Sequence, residues 1–127
     1  MNRNAYVTNS NNFFELKGQI ITKIKTDSLD VLIETASGNK YRIHHSQDCC
    51  ESVDVERTIG NVEDVLNQEI TLAEEDSKEP DWYKLKYADD SHTWTSFYLE
   101  TAKGRFEIWI LGESNGYYNE SVSFEKI

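Results

Sequence analysis

The stretch "TWTSFYLETAKGRFEIWIL", residues 93–111, decides how the rest of the chain is read. Threonine, tryptophan, phenylalanine, tyrosine and isoleucine dominate it, and such branched and aromatic side chains suit a pleated, half-buried surface. Apolar and polar positions alternate on both sides of "AKG" at 102–104, a short glycine-containing turn that joins two antiparallel strands. The flanking segments "WYKLKY" and "YYNESVSF" carry the same alternation, so the last third reads as four successive strands. Asn115-Gly116 is the dipeptide that favours a type I′ hairpin turn.

Working back toward the N-terminus, "QIITKIK" and "VLIETA" alternate in the same way. The turn "SGN" at 37–39 leads into "KYRIHH", which makes residues 31–45 a hairpin. "NVEDVLN" at 61–67 differs. Asn61 can cap a first turn, Glu63 and Asp64 suit its positive end, and Val62, Val65 and Leu66 share a face, so one short helix is expected there. "QEITLAEE" reads as another brief strand, and "EEDSKEPD" as an acidic loop holding the one proline. Residues 1–12 are polar and Asn-rich and read as a flexible or edge arm. The expected class is α+β: one domain over 1–127, mostly antiparallel β-sheet with one short helix and a metal-stabilised loop.

The charge is −10 and unevenly distributed: residues 1–50 hold six Lys/Arg against five Asp/Glu, and residues 51–127 hold seven against eighteen. A field of this sign repels nucleic acid and membrane surfaces and speeds encounter with basic partners. No apolar run nears the roughly 20 residues that span a bilayer, and no signal-peptide block is seen, so a cytoplasmic location is expected. Internal repeats, phosphate-binding glycine loops, dinucleotide fingerprints and nucleophile elbows are all missing from the sequence.

"HHSQDCCE", residues 44–51, gathers the donor types zinc prefers and contains both cysteines. On a strand, Tyr41, Ile43 and His45 face one way, inward, while Arg42 and His44 face solvent. The local donors are His45, Asp48, Cys49 and Cys50, with His92 a distant candidate. The alternative is a hydrogen-bonded core histidine beside one buried and one surface cysteine. Reduced thiols are expected in a reducing compartment, and a vicinal disulfide would close a strained ring. Asp48 and Glu51 flank the cysteines and would raise a thiol pKa, which disfavours nucleophilic catalysis.

Two further stretches suit partner contact. The acidic Glu74, Glu75 and Asp76 could steer a basic surface, and Asn115, Tyr117 and Tyr118 in "GESNGYYNESV" could form an aromatic recognition tip. Both also have plain readings, a solvated loop and a tight turn.

Taken together, "HSQDCCESV", "TLAEE", "TWTSFY" and "GESNGYYNESV" resemble a small family encoded mainly by bacteriophages and prophages, in motif order over roughly residues 30–123. A phage-encoded acidic protein of this size is also similar to anti-CRISPR inhibitors of the type II-A effector nuclease, at least one of which carries zinc. The resemblance implies a metal-binding segment at His45, Asp48, Cys49 and Cys50; with the acidity, the absence of catalytic signatures and the compact donor cluster, the expectation is a structural Zn2+, no enzymatic activity, and binding to the basic nucleic-acid-binding lobe of a host RNA-guided nuclease in the bacterial cytoplasm. No direct nucleic-acid or membrane contact is expected, and a monomer is expected over an oligomer. The rival readings are a zinc-dependent hydrolase acting on a nucleotide or phosphate ester, and a phage structural or assembly protein.

Overall fold

A computed structural model of the chain describes residues 12–27, 30–47, 50–82, 91–114 and 120–127. Eight strands are seen: β1 (Ile21–Thr26), β2 (Asp30–Thr35), β3 (Lys40–His44), β4 (Ser52–Ile59), β5 (Leu72–Asp76), β6 (Ser91–Thr101), β7 (Gly104–Ser114) and β8 (Ser123–Lys126). They form two four-stranded sheets, ordered β1-β2-β3-β8 and β4-β7-β6-β5, with every pairing antiparallel.

The period-2 pattern explains how the sheets meet. Val31, Ile33, Tyr41, Ile43 and Phe124 of the first sheet, and Val53, Ala73, Phe97, Leu99, Phe106, Ile108 and Ile110 of the second, join one buried cluster. Tyr41 stacks on Phe124 at 5.0 Å, and Phe13 meets Phe97 and Phe124 at 4.9 and 5.1 Å. Phe13 reaches this core from a single 3-10 turn, Phe13–Leu16, which Asn12 caps by accepting from the Phe14 amide at 3.0 Å. Asn12, the last residue of the expected flexible or edge arm, thus caps the turn; residues 1–11 lie outside the described residues.

The expected helix is corrected. Asn61 does cap, accepting from the Glu63 amide at 3.0 Å, but only Val62–Val65 turn, and they do so as 3-10. Leu66 is already extended (φ −102, ψ 146) and Asn67 sits at φ 62. Two β-branched valines in four residues give little helical drive, and the segment buries Val65 while Val62 and Leu66 pack against the core. Among the described residues there is no α-helix: they form mostly antiparallel β-sheet with two single 3-10 turns, in place of the expected short helix, and no metal-stabilised loop is shown.

β4 was not expected as a strand, although Val53 and Val55 alternate with Asp54 and Glu56. It pairs with β7, and Gly60 (φ 97) then turns the chain so closely that an added Cβ would lie 2.2 Å from the Arg105 carbonyl oxygen. The expected "WYKLKY" strand and the Asn115-Gly116 turn fall outside the described residues, except for Trp82, which lies in a turn.

All four sheet edges are blunted against further pairing. β1 and β4 carry register irregularities at Ile21/Lys23 and Val55/Arg57, β5 presents Glu74, Glu75 and Asp76, and β8 is four residues long.

Candidate interaction face and the His45 region

Because β1–β3 share one sheet and β4–β7 the other, the charge asymmetry of the sequence becomes an asymmetry between sheets, and β8 adds no net charge to the first. The strands of the first sheet hold five Lys/Arg and three Asp/Glu, a net +2, whereas those of the second hold two and eight, a net −6. The register arranges the outer face of the second sheet in rows: Trp94, Leu111 and Asp54; then Asp76, Ser96, Trp109 and Arg57; then Glu74, Tyr98, Glu107 and Ile59; then Leu72, Glu100 and Arg105. Trp94, Tyr98, Trp109 and Leu111 form a second buried cluster on this face.

That cluster is buried because the segment after β5 folds back over it. Trp82 packs edge-on against Trp94 and Trp109 at 5.5 and 5.7 Å, and Glu79 bonds His92 Nε2 at 2.9 Å. Arg57 lies 4.4 Å above the Trp82 ring, and Arg105 lies 4.7 Å above Tyr98 while bonding Glu100 and, at 2.8 Å, Glu107. Trp82 keeps 37% of its surface exposed. The result is an aromatic patch surrounded by carboxylates.

Of the expected partner-contact residues, Glu74 and Asp76 lie on this outer face, and Glu75, registered against Phe97, lies on the other face of the edge strand; all three are exposed. Asn115, Tyr117 and Tyr118 lie outside the described residues. The sequence reading missed Trp82 and Arg57. Their signal was weak, since "WYKLKY" looked like an ordinary strand and Arg57 sat in a segment given no structure.

His45 faces inward as expected, with its side chain 5% exposed. Its Nδ1 lies 2.7 Å from the Ser121 carbonyl oxygen and its Nε2 lies 2.7 Å from Glu51 Oε2. A carbonyl only accepts, so Nδ1 carries hydrogen, and one further proton is shared between Nε2 and the fully buried Glu51 carboxyl. The pair ties the linker between β3 and β4 to the residues entering β8. Gln47 adds a bond from its amide nitrogen to the Glu51 carbonyl at 2.8 Å. The other histidines also meet glutamates: His44 bonds Glu125, which Arg42 approaches to 3.7 Å, and His92 bonds Glu79.

Cys50 is disulfide-bonded, not a free thiol as expected. Cys49 and Asp48 lie outside the described residues. In this arrangement both His45 ring nitrogens are hydrogen-bonded and Cys50 is in a disulfide, so these two can ligate an ion only once those bonds are broken. Among the described residues no group of three His, Cys, Asp or Glu could hold a metal. A zinc site here requires reduction of the disulfide and release of His45 from Glu51. Elemental analysis of protein purified under oxidising conditions should therefore return far less than one zinc per chain. One equivalent in that form would overturn this geometry, and one equivalent only after reduction would assign the ion to the dithiol state.

Glu120 is the second buried carboxylate. Thr93 donates to it at 2.8 Å, Ser114 bonds it as well, and Ser91 adds a further hydrogen bond. Burial pushes its pKa up, but these hydroxyls and the nearby His92 outweigh that and hold it below the ordinary value. Gly112 makes room for it: an added Cβ there would meet the Glu120 carbonyl oxygen at 2.3 Å. The "TWTSFY" and "GESNGYYNESV" motifs thus supply parts of one structural clasp, through Thr93, Gly112, Ser114 and Glu120.

Two packed antiparallel sheets, one of them carrying an acidic outer face with an aromatic centre, define a β-sandwich. The chain belongs to the DUF7448 family, a domain of unknown function, which matches residues 14–124. No curated protein and no solved structure matches it. Among the described residues no helix is long and apolar enough to cross a membrane.

Proposed function

We propose that this is a non-catalytic, phage-derived binding protein that occupies a basic nucleic-acid-binding groove of a host type II RNA-guided effector nuclease, in the host cytoplasm, and blocks DNA loading or cleavage. The observation that carries the reading is the segregation of charge, net −6 on one sheet and +2 on the other. Such a nuclease holds its heteroduplex in a positively charged channel, so a rigid acidic sheet competes for the same cations. The motif resemblance to phage-encoded proteins supplies the partner class. Zinc enters this reading as a structural ion of the reduced protein, holding the 45–50 segment.

The test is a cleavage and DNA-binding assay with the guide-loaded nuclease. The expected result is loss of both at a modest molar excess, with inhibition weakening as salt rises and the Debye length shrinks below about 8 Å. Unchanged cleavage and unchanged DNA loading at high excess would remove the proposal. Loss of cleavage with DNA loading intact would move the block to the later docking of the nuclease domain.

A further inference from the structure

The linker between β3 and β4 carries both of the chain's cysteines. We propose that the disulfide of Cys50 is a reversible redox switch, reduced by a cellular dithiol, whose state is passed through Glu51 and His45 to the residues entering β8. The switch is independent of the binding reading above. The bond partner follows from composition: the two cysteines are adjacent at 49 and 50, so the intrachain disulfide of Cys50 is made with its neighbour.

Three properties set this bond apart from a structural staple. A ring closed by neighbouring residues encloses no intervening chain, so it takes almost no loop entropy from the unfolded state and holds no distant segments together. Adjacent Cα atoms lie at most about 3.8 Å apart, short of the roughly 4.4–6.8 Å that disulfides prefer, and a bond so constrained is more easily reduced. Cys50 is also exposed, which gives an attacking thiolate access, and exposed or strained disulfides are the labile, regulatory ones. The next residue is the opposite. Glu51 has no side-chain exposure, its Oε2 lies 2.7 Å from His45 Nε2, and the Gln47 side-chain amide donates to its carbonyl oxygen at 2.8 Å. His45 in turn donates from Nδ1 to the Ser121 carbonyl oxygen at 2.7 Å, one residue from the Glu120 carboxyl that Thr93 and Ser114 hold. A solvent-accessible bond thus sits one peptide from a relay that runs from the start of β4 to the entry of β8 and on to β6 and β7. In the reduction, one thiolate of the dithiol attacks a cysteine sulfur, the S–S bond breaks, and the departing sulfur is protonated; the second thiolate then attacks the mixed disulfide and releases the other cysteine. Two electrons pass from the dithiol, which ends as its own disulfide, and its two thiol protons end on the cysteines. The peptide between them leaves the ring, and the linker that carries Glu51 relaxes with it.

The test equilibrates the full chain in mixtures of reduced and oxidised dithiothreitol, traps free thiols with a maleimide and counts the adducts by mass. Wild type is expected to pass reversibly between no adduct and two while staying monomeric. Backbone amides of residues 46–52 and 120–122 should exchange hydrogen about fivefold or more faster in the reduced state. By linkage, loosening the relay favours the dithiol. Glu51→Gln should therefore shift the equilibrium toward reduction by about fivefold or more, and Gln47→Ala, at an exposed position, should shift it the same way by less. Cys49→Ser with Cys50→Ser should remove the exchange difference between the two buffers. Disulfide-linked dimers, or two adducts even in the oxidising buffer, would overturn the switch. So would hydrogen exchange that agrees within about twofold between the two states of wild type, which needs no variant to fold. An equilibrium that neither variant moves by more than about twofold would sever the disulfide from Glu51 and His45 and overturn the relay.

Discussion

Replacing His45 with alanine is expected to destabilise the fold by about 3–5 kcal/mol, because it removes the Nε2 partner of the Glu51 carboxyl in a site where the Glu51 side chain has no exposure. The cost comes from the partner left behind. Accordingly, His45→Leu combined with Glu51→Leu should cost clearly less than the two single changes added together, since neither half of the pair is then left facing an apolar replacement of the other. Glu51→Gln separates this account from a metal-centred one. Glu51 is not among the expected zinc donors, so a zinc-held segment would tolerate the change, whereas the hydrogen-bonded pair loses a charge-assisted bond worth about 1.5–3 kcal/mol. Urea denaturation of these variants and of the two single leucine changes, with and without reductant, measures all of this. A loss below about 1 kcal/mol for His45→Ala would show that the pair contributes little.

Gly112→Ala carries the next largest effect. A methyl group there collides with the Glu120 carbonyl oxygen at 2.3 Å, and backbone, not a flexible side chain, must move. The displacement also pulls the carboxylate away from Thr93 and Ser114, so a loss of about 3 kcal/mol is expected. Glu120→Gln isolates the electrostatic part. Since the native carboxyl titrates below its ordinary 4.5, the ionised form stabilises the fold above that pH, and this contribution disappears as pH falls through the lowered native value. The variant should thus be less stable than wild type at neutral pH, with the gap narrowing in acid. A constant gap from neutral pH to below 4 would contradict that assignment.

Much of the sheet structure was readable from local pattern. The β6–β7 hairpin, the β2–β3 hairpin and the inward direction of His45 all follow from alternation and turn chemistry, which act over a few residues. The helix at 61–67 was misread because a capping residue and a short apolar face are also what a single 3-10 turn needs. β4 was overlooked because its start follows directly on the donor cluster, whose chemistry drew the reading away from the valine alternation.

The sequence by itself determined that the chain builds antiparallel strands and that its negative charge lies beyond residue 50, since side-chain period and residue count need no neighbours. Only the tertiary structure decided that β8 closes the first sheet beside β3, that β4 lies along β7, and that Trp82 packs over Trp94 and Trp109 on the outer face of the acidic sheet. It also decided that His45 meets Glu51 and Ser121, the latter 76 residues away in sequence. Such pairings depend on which distant strands bury the most apolar surface together, and no local window of sequence contains that competition.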